Sequence, residues 1–116
     1  MASINHLISM KNHNLYSHYQ KQFIKYKDKV ALRLLNNETI KYSNLENKSA
    51  KIANYLVQVG VSVGDRVSVQ VHKSPEALYL YLACLRAGFV YHPLNVGYKK
   101  HELDFFFQNA EPSLVV

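Results

Sequence analysis

Two histidines, His72 and His92, stand near the C-terminal ends of segments that read as β-strands. Open α/β sheets hold their ligands at such strand ends. A histidine there can move a proton near neutral pH or ligate a metal. Either task needs company, and no carboxylate or nucleophile is evident beside these two, so a structural role is expected for both. His6, His13, His18 and His101 show no His-Glu-x-x-His or Cys-His spacing, and one cysteine cannot build a thiolate zinc site. Cys84 lies inside an apolar helical pattern, where a small buried thiol is expected rather than a nucleophile. Glu102 and Asp104 flank Leu103 but leave a helix on different sides.

Anion binding is the other chemistry to weigh, because Lys73-Ser74 precedes a helical segment. A phosphate cradle needs successive backbone N–H groups brought close by glycines ahead of a helix start. The four glycines, Gly60, Gly64, Gly88 and Gly97, are not so arranged. Ser74-Pro75-Glu76 is accounted for by helix initiation alone: a hydroxyl cap, a proline where no donor is lost, and a carboxylate at the positive end of the dipole. On the residues alone, no catalytic, cofactor-binding or metal-ligating residue is assigned.

Composition narrows the classes. The 116 residues fit one domain, and 48% hydrophobic content with 12% aromatic residues excludes a low-complexity chain. No apolar run reaches the ~18 residues that cross a bilayer, and the first thirty residues lack the apolar core of a secretory signal, so a cytoplasmic location without membrane association is expected. A net charge of +6 raises the question of nucleic acid. Lys21, Lys25, Lys27 and Lys29 form the one dense basic cluster. Lysine outnumbers arginine eleven to three, and with abundant asparagine this matches an AT-rich coding bias. Basic clusters without a binding motif argue weakly, so nucleic acid is not favoured. The tyrosines and phenylalanines fit core periodicity better than a base-stacking platform.

The elements that would position these groups follow from pattern. Residues 1–13 carry no period and are expected to form a loose arm. Leu15, Tyr19, Phe23 and Tyr26 predict an amphipathic helix from Asn14. Val30 to Leu35 and Thr39 to Tyr42 read as a hairpin around Asn36-Asn37, with a three-residue loop pairing Leu34 with Ile40 and Leu32 with Tyr42. Ser43 and Glu46 match a capping box, opening a helix whose stripe is Leu45, Ile52, Ala53, Leu56 and Val59; Gly60 ends it and Val61 covers Leu56. Val67, Val69 and Val71 alternate with Ser68 and Gln70 as a strand. Ser74 to Gly88 is a helix with almost no polar face, expected to be covered on several sides. Phe89 to Leu94 is a strand bent by Pro93. A helix follows from Lys100, with Leu103, Phe106, Phe107 and Ala110 inward, and Leu114 to Val116 starts another strand. Three strands alternating with helices imply an open, largely parallel sheet.

The order "KYSNLENKSAKIANYLVQVGVSVGDRVSVQVHKSPEALYLYLACLRAGFVYHPLNVGYKKHELDFFFQNAEPSLVV" resembles the amino-terminal part of adenylate-forming enzymes, the acyl-CoA synthetase and luciferase superfamily. Within it "GDRVSVQVHKSPEALYLYLACLRAG", "YHPLN" and "AEPSLVV" look most like malonyl-CoA synthetases. The resemblance implies an α/β fold: a partial amino-terminal subdomain over 14–116, with a largely parallel sheet, flanking helices and one hairpin. For the full-length family it implies ATP-dependent acyl adenylation, thioesterification to CoA, and use of Mg²⁺. The family's Ser/Thr/Gly-rich phosphate loop, aromatic-Gly-x-Thr-Glu segment, ribose-binding Asp and catalytic Lys have no counterpart here, so no site residue is carried over. The first expectation is therefore a truncated ligase, silent alone and prone to self-association. The second is one half of a split ligase completed by a partner chain, and the third a basic nucleic-acid-binding module.

Overall fold

A computed structural model describes residues 15–116; the expected arm over 1–13, with His6 and His13, lies outside the described residues. The chain runs α1 (Leu15–Lys25), β1 (Val30–Arg33), β2 (Thr39–Lys41), α2 (Tyr42–Gln58), β3 (Arg66–Val69), α3 (Pro75–Ala87), β4 (Val90–Pro93), α4 (Lys100–Ala110) and β5 (Leu114–Val115). β1 and β2 form an antiparallel hairpin, and the other strands form a parallel sheet in the order β4-β3-β5. This is the expected α/β arrangement, in which parallel neighbours are joined by helical crossovers.

The helix α3 is the centre of the molecule. Ser74 Oγ accepts from the Ala77 amide at 3.1 Å, Pro75 opens the first turn, and Gly88 closes the helix in the left-handed region at φ 78°. A Cβ on Gly88 would also meet Val63 Cγ1 at 3.2 Å. One side of α3 joins Leu80 and Cys84 to Leu56 and Val61 and to Val67, Val69 and Phe89 of the sheet region. Its other side joins Tyr79 and Leu82 to Tyr16, Phe23 and Leu45, with the hairpin's Leu32 and Ile40 packed against them. Burial on both sides is what its all-apolar sequence requires, each fully buried leucine contributing ~1.5–3 kcal/mol. Val61 and Leu56 share the first cluster, as expected when glycine ends a helix; Gly60 has φ 103° and the Val61 amide donates to the Leu56 carbonyl at 3.0 Å.

Four expectations are corrected. α1 buries Tyr16 and Phe23, whereas Leu15 and Tyr19 remain largely exposed. The buried face is turned because the Tyr16 hydroxyl finds partners on α2 and α3, and Tyr19 stacks on Phe23, centroids 6.1 Å apart, at the rim of a groove. In the hairpin, Leu32 pairs with Ile40 and Arg33 with Thr39, two residues away from the expected register. The loop does have three residues, but they are Leu35, Asn36 and Asn37. Asn37 takes φ 67° at the third loop position, its amide donates to the Leu34 carbonyl, and Asn36 Oδ1 accepts from the Glu38 amide. Placing the asparagine at the left-handed position fixes the loop, and Leu35 is left fully exposed as a consequence.

The third correction concerns the capping box. α2 starts at Tyr42, Asn44 Oδ1 accepts from the Lys41 amide at 3.0 Å, and Glu46 points elsewhere. The fourth concerns Ser68, a polar member of the alternation that marks a half-buried strand, which is completely buried. β3 is the central strand: helices α2 and α3 cover Val67 and Val69, while Phe106 of α4 packs its ring against His92 on the opposite face. α4 is tied to this face by Arg66, whose guanidinium donates to the Ala110 carbonyl at 3.0 Å.

Candidate functional site

His92 is the sequence-singled histidine that the fold partners. In the parallel ladder Ser68 lies opposite His92, and Ser68 Oγ is 2.7 Å from His92 Nδ1. No local pattern announces this nucleophile-type neighbour, because the two are 24 residues apart and only the strand register joins them. A serine beside a histidine is a pair that can do acyl chemistry, provided the hydroxyl can meet a substrate. Here the serine is fully buried in the central strand, so the bond satisfies a buried hydroxyl and holds the ring edge-to-face with Phe106. His72, the other histidine at a strand end, is exposed. His18 is exposed on α1, and His101 is exposed 3.9 Å from Glu102.

Lys73 and Ser74 border a groove of about 360 Å³ between the start of α3 and the hairpin, lined also by Arg33, Leu32, Leu35 and Leu78. In the first turn of α3 Pro75 has no N–H, the Ala77 amide is taken by Ser74 Oγ, and the Leu78 amide by the Ser74 carbonyl at 3.3 Å. A triphosphate grip requires several amides converging from a glycine-rich turn. These residues do not fit ATP, and among the described residues no group of three or more His, Cys, Asp or Glu is placed to hold a metal ion. Cys84 is buried, and burial pushes its thiol up to about 11, away from the thiolate that nucleophilic chemistry needs. Glu102 accepts from the Lys99 amide at 2.5 Å at the start of α4, and Asp104 pairs with Lys100 at 2.8 Å.

The polar cluster that sequence reading missed joins α1, α2 and α3. Glu46 accepts from Arg86 at 2.8 Å, from Gln20 at 2.8 Å, and from the Tyr16 hydroxyl. Arg86 also donates to the Tyr16 oxygen at 2.7 Å and to the Glu46 carbonyl at 3.2 Å, and its guanidinium lies 4.9 Å from the Tyr16 ring centre. Partial burial by itself would raise the Glu46 carboxyl; hydrogen bonds from Arg86, Tyr16 and Gln20 outweigh it and hold the group below its usual range. Burial, reinforced by the bond to Glu46, pushes the Tyr16 phenol up to about 12. Both groups are thus fixed in their ordinary neutral-pH states. The cluster clamps three helices and offers no titration near neutrality. The partial signal for it was Arg86, polar within an otherwise apolar helix.

With the geometry in view, comparison with known proteins is decisive. Residues 19–116 match the family model described as AMP-binding enzyme. The chain belongs to the AMP-binding enzyme family. Apo MatB from Rhodopseudomonas palustris shares 46% identity at a TM-score of 0.80, covering 88% of this chain and 20% of that one. The N-terminal subdomain of Klebsiella oxytoca NpsA, at 21% identity, shows the same fold with a TM-score of 0.81 over 89% of this chain and 27% of its own. Among curated sequences, the mitochondrial acyl-CoA synthetase short-chain family member 3 of Mus musculus is 35% identical over 67% of this chain and 11% of that protein. The chain therefore spans a small fraction of these relatives, and what it matches is the N-terminal part of an adenylate-forming enzyme. Among the described residues no helix is long and apolar enough to cross a membrane.

Proposed function

We propose that these residues form the N-terminal scaffold of an ATP-dependent acid–CoA ligase of the malonyl-CoA synthetase type and do not activate an acid on their own. The identity to MatB, sustained over 88% of the chain, is the observation that carries the ligase reading. Malonate as the acid is supported by the resemblance of the Gly64–Gly88 segment and of "YHPLN" to malonyl-CoA synthetases. Catalytic silence is supported by the lack of glycines in the turn before α3, by the Ser74 hydroxyl's use as a cap on Ala77, and by a serine–histidine pair whose hydroxyl is fully buried. In this reading β3, β4 and α3 form a wall, and the remainder of the AMP-binding domain supplies the groups that grip triphosphate, Mg²⁺ and CoA.

Malonate-dependent ATP–pyrophosphate exchange tests both parts. The chain alone is expected to give none, and addition of a polypeptide carrying the remainder of the AMP-binding domain is expected to produce it. Exchange by the chain alone would overturn the scaffold reading. Complemented exchange with acetate but not malonate would overturn the substrate.

A further inference from the structure

Along the described residues the net charge is concentrated in the first part of the sequence. Residues 15–58 carry eight Lys and Arg against three Asp and Glu, a net of +5, whereas residues 59–116 carry five of each. Of the three carboxylates in the basic half, Glu46 is held by Arg86, which comes from the neutral half. Lys21, Lys25, Lys27 and Lys29 are all exposed, and none forms an ion pair among the described residues. Lys25 and Lys29 instead bracket the Tyr26 ring, 5.2 and 5.0 Å from its centre. A coding bias toward lysine would act on both halves alike, so it does not explain this segregation.

The same face is notched. A groove of about 170 Å³ runs between α1 and α2, lined by Phe23, Ile24, Lys27, Ser43, Glu46 and Asn47. Ile24 is 59% exposed at its edge. We propose that this face docks an acidic helical segment of a partner protein, which sets one apolar side chain against Ile24 and Phe23 while its carboxylates meet Lys27 at the notch and the exposed Lys21, Lys25 and Lys29 that flank it in sequence. Charge complementarity selects the partner's sign, and the notch selects a protruding side chain over a flat surface. An anionic membrane fits less well, because interfacial helices need a continuous apolar face turned outward and the apolar side of α1 is spent on Tyr16 and Phe23 inside. Nucleic acid fits less well, because the cluster holds no arginine fork and its aromatic ring is already covered by lysines.

The test titrates the full chain with a helical peptide that carries glutamates around one central leucine, read by fluorescence anisotropy at low and physiological salt. Two further probes are the same peptide with alanine at its centre and a duplex DNA of matched charge; phosphatidylcholine vesicles containing phosphatidylserine form the last arm. The leucine peptide is expected to bind, to weaken about tenfold as salt screens the lysines, and to lose a similar factor on the change to alanine. K21E/K25E/K27E is expected to abolish binding and I24A to reduce it; unchanged circular dichroism shows that each variant is folded, and glutamine replacements serve if the glutamate variant is not. No binding of the leucine peptide, equal binding of the alanine peptide, or tighter binding of DNA or vesicles would each overturn the proposal.

Discussion

Helices α3 and α4 have comparable lengths, defined starts and large apolar content, yet α3 buries five residues and α4 none. Phe105 of α4 is 62% exposed, and Phe106 is half-buried against Tyr98 at 5.0 Å and His92 at 6.4 Å. The difference is the number of layers. α3 lies between the sheet and the α1–hairpin cluster, whereas α4 meets one sheet face only. Apolar sequence supplies the capacity to be buried, and a second layer turns that capacity into stability.

Truncation within α3 should break the fold most severely. Leu82→Ala is expected to lower unfolding free energy by about 2–5 kcal/mol, measured as the shift in urea midpoint. If the loss is under about 1 kcal/mol, as for a surface site, the two-sided core around α3 is wrong. Next comes the helix clamp. Arg86→Ala strands the Glu46 carboxylate and is expected to cost about 1–3 kcal/mol, below the cost of a deep pair because both side chains retain 20–24% exposure.

The clamp also sets the acid limb. Because the folded pKa of Glu46 is lowered, its contribution is present above the ordinary carboxylate value and disappears as pH falls through the folded one. Tyr16 acts at the other end: with its phenol pushed up to about 12 from 10.0, stability is full below pH 10 and declines from there toward 12. Glu46→Gln is expected to flatten the acid limb in urea midpoints taken across pH, and an unaltered limb would remove Glu46 from its origin.

Smaller effects sharpen the contrast at the helix starts and surfaces. Ser74→Ala is expected to cost about 1 kcal/mol through the lost cap on Ala77, with Ser74→Asp close to neutral. Phe105→Ala should fall within about 0.5 kcal/mol, despite deleting an aromatic ring. Native-state amide exchange should agree, with α3 amides opening only with the whole fold and α4 amides opening locally.

Local signals were legible wherever one residue type has one conformational use. Ser74-Pro75 and Gly88 bounded α3 correctly, Gly60 ended α2, and valine alternation located β3. The stripe of α1 and the capping box of α2 misled for a shared reason. Glu46 had a plausible local role and Tyr16 lay outside the expected stripe, yet both were drawn into charge-assisted bonds with Arg86, a residue 40 and 70 positions away respectively. Ser68 failed likewise: a polar residue in an alternating strand reads as solvent-facing until the strand proves central.

By itself the sequence determined where α3 starts and stops, where α2 stops, that the strands joined by helices would run parallel, and that its glycines build no phosphate grip, because these follow from turn and cap residues and the order they impose on the elements. Tertiary structure alone decided the hairpin register, the Glu46–Arg86–Tyr16 clamp, the Ser68–His92 bond and the notch that Ile24 and Lys27 share with Ser43 and Asn47. Each of these joins groups from separate segments, and their meeting is fixed by packing rather than by any local preference.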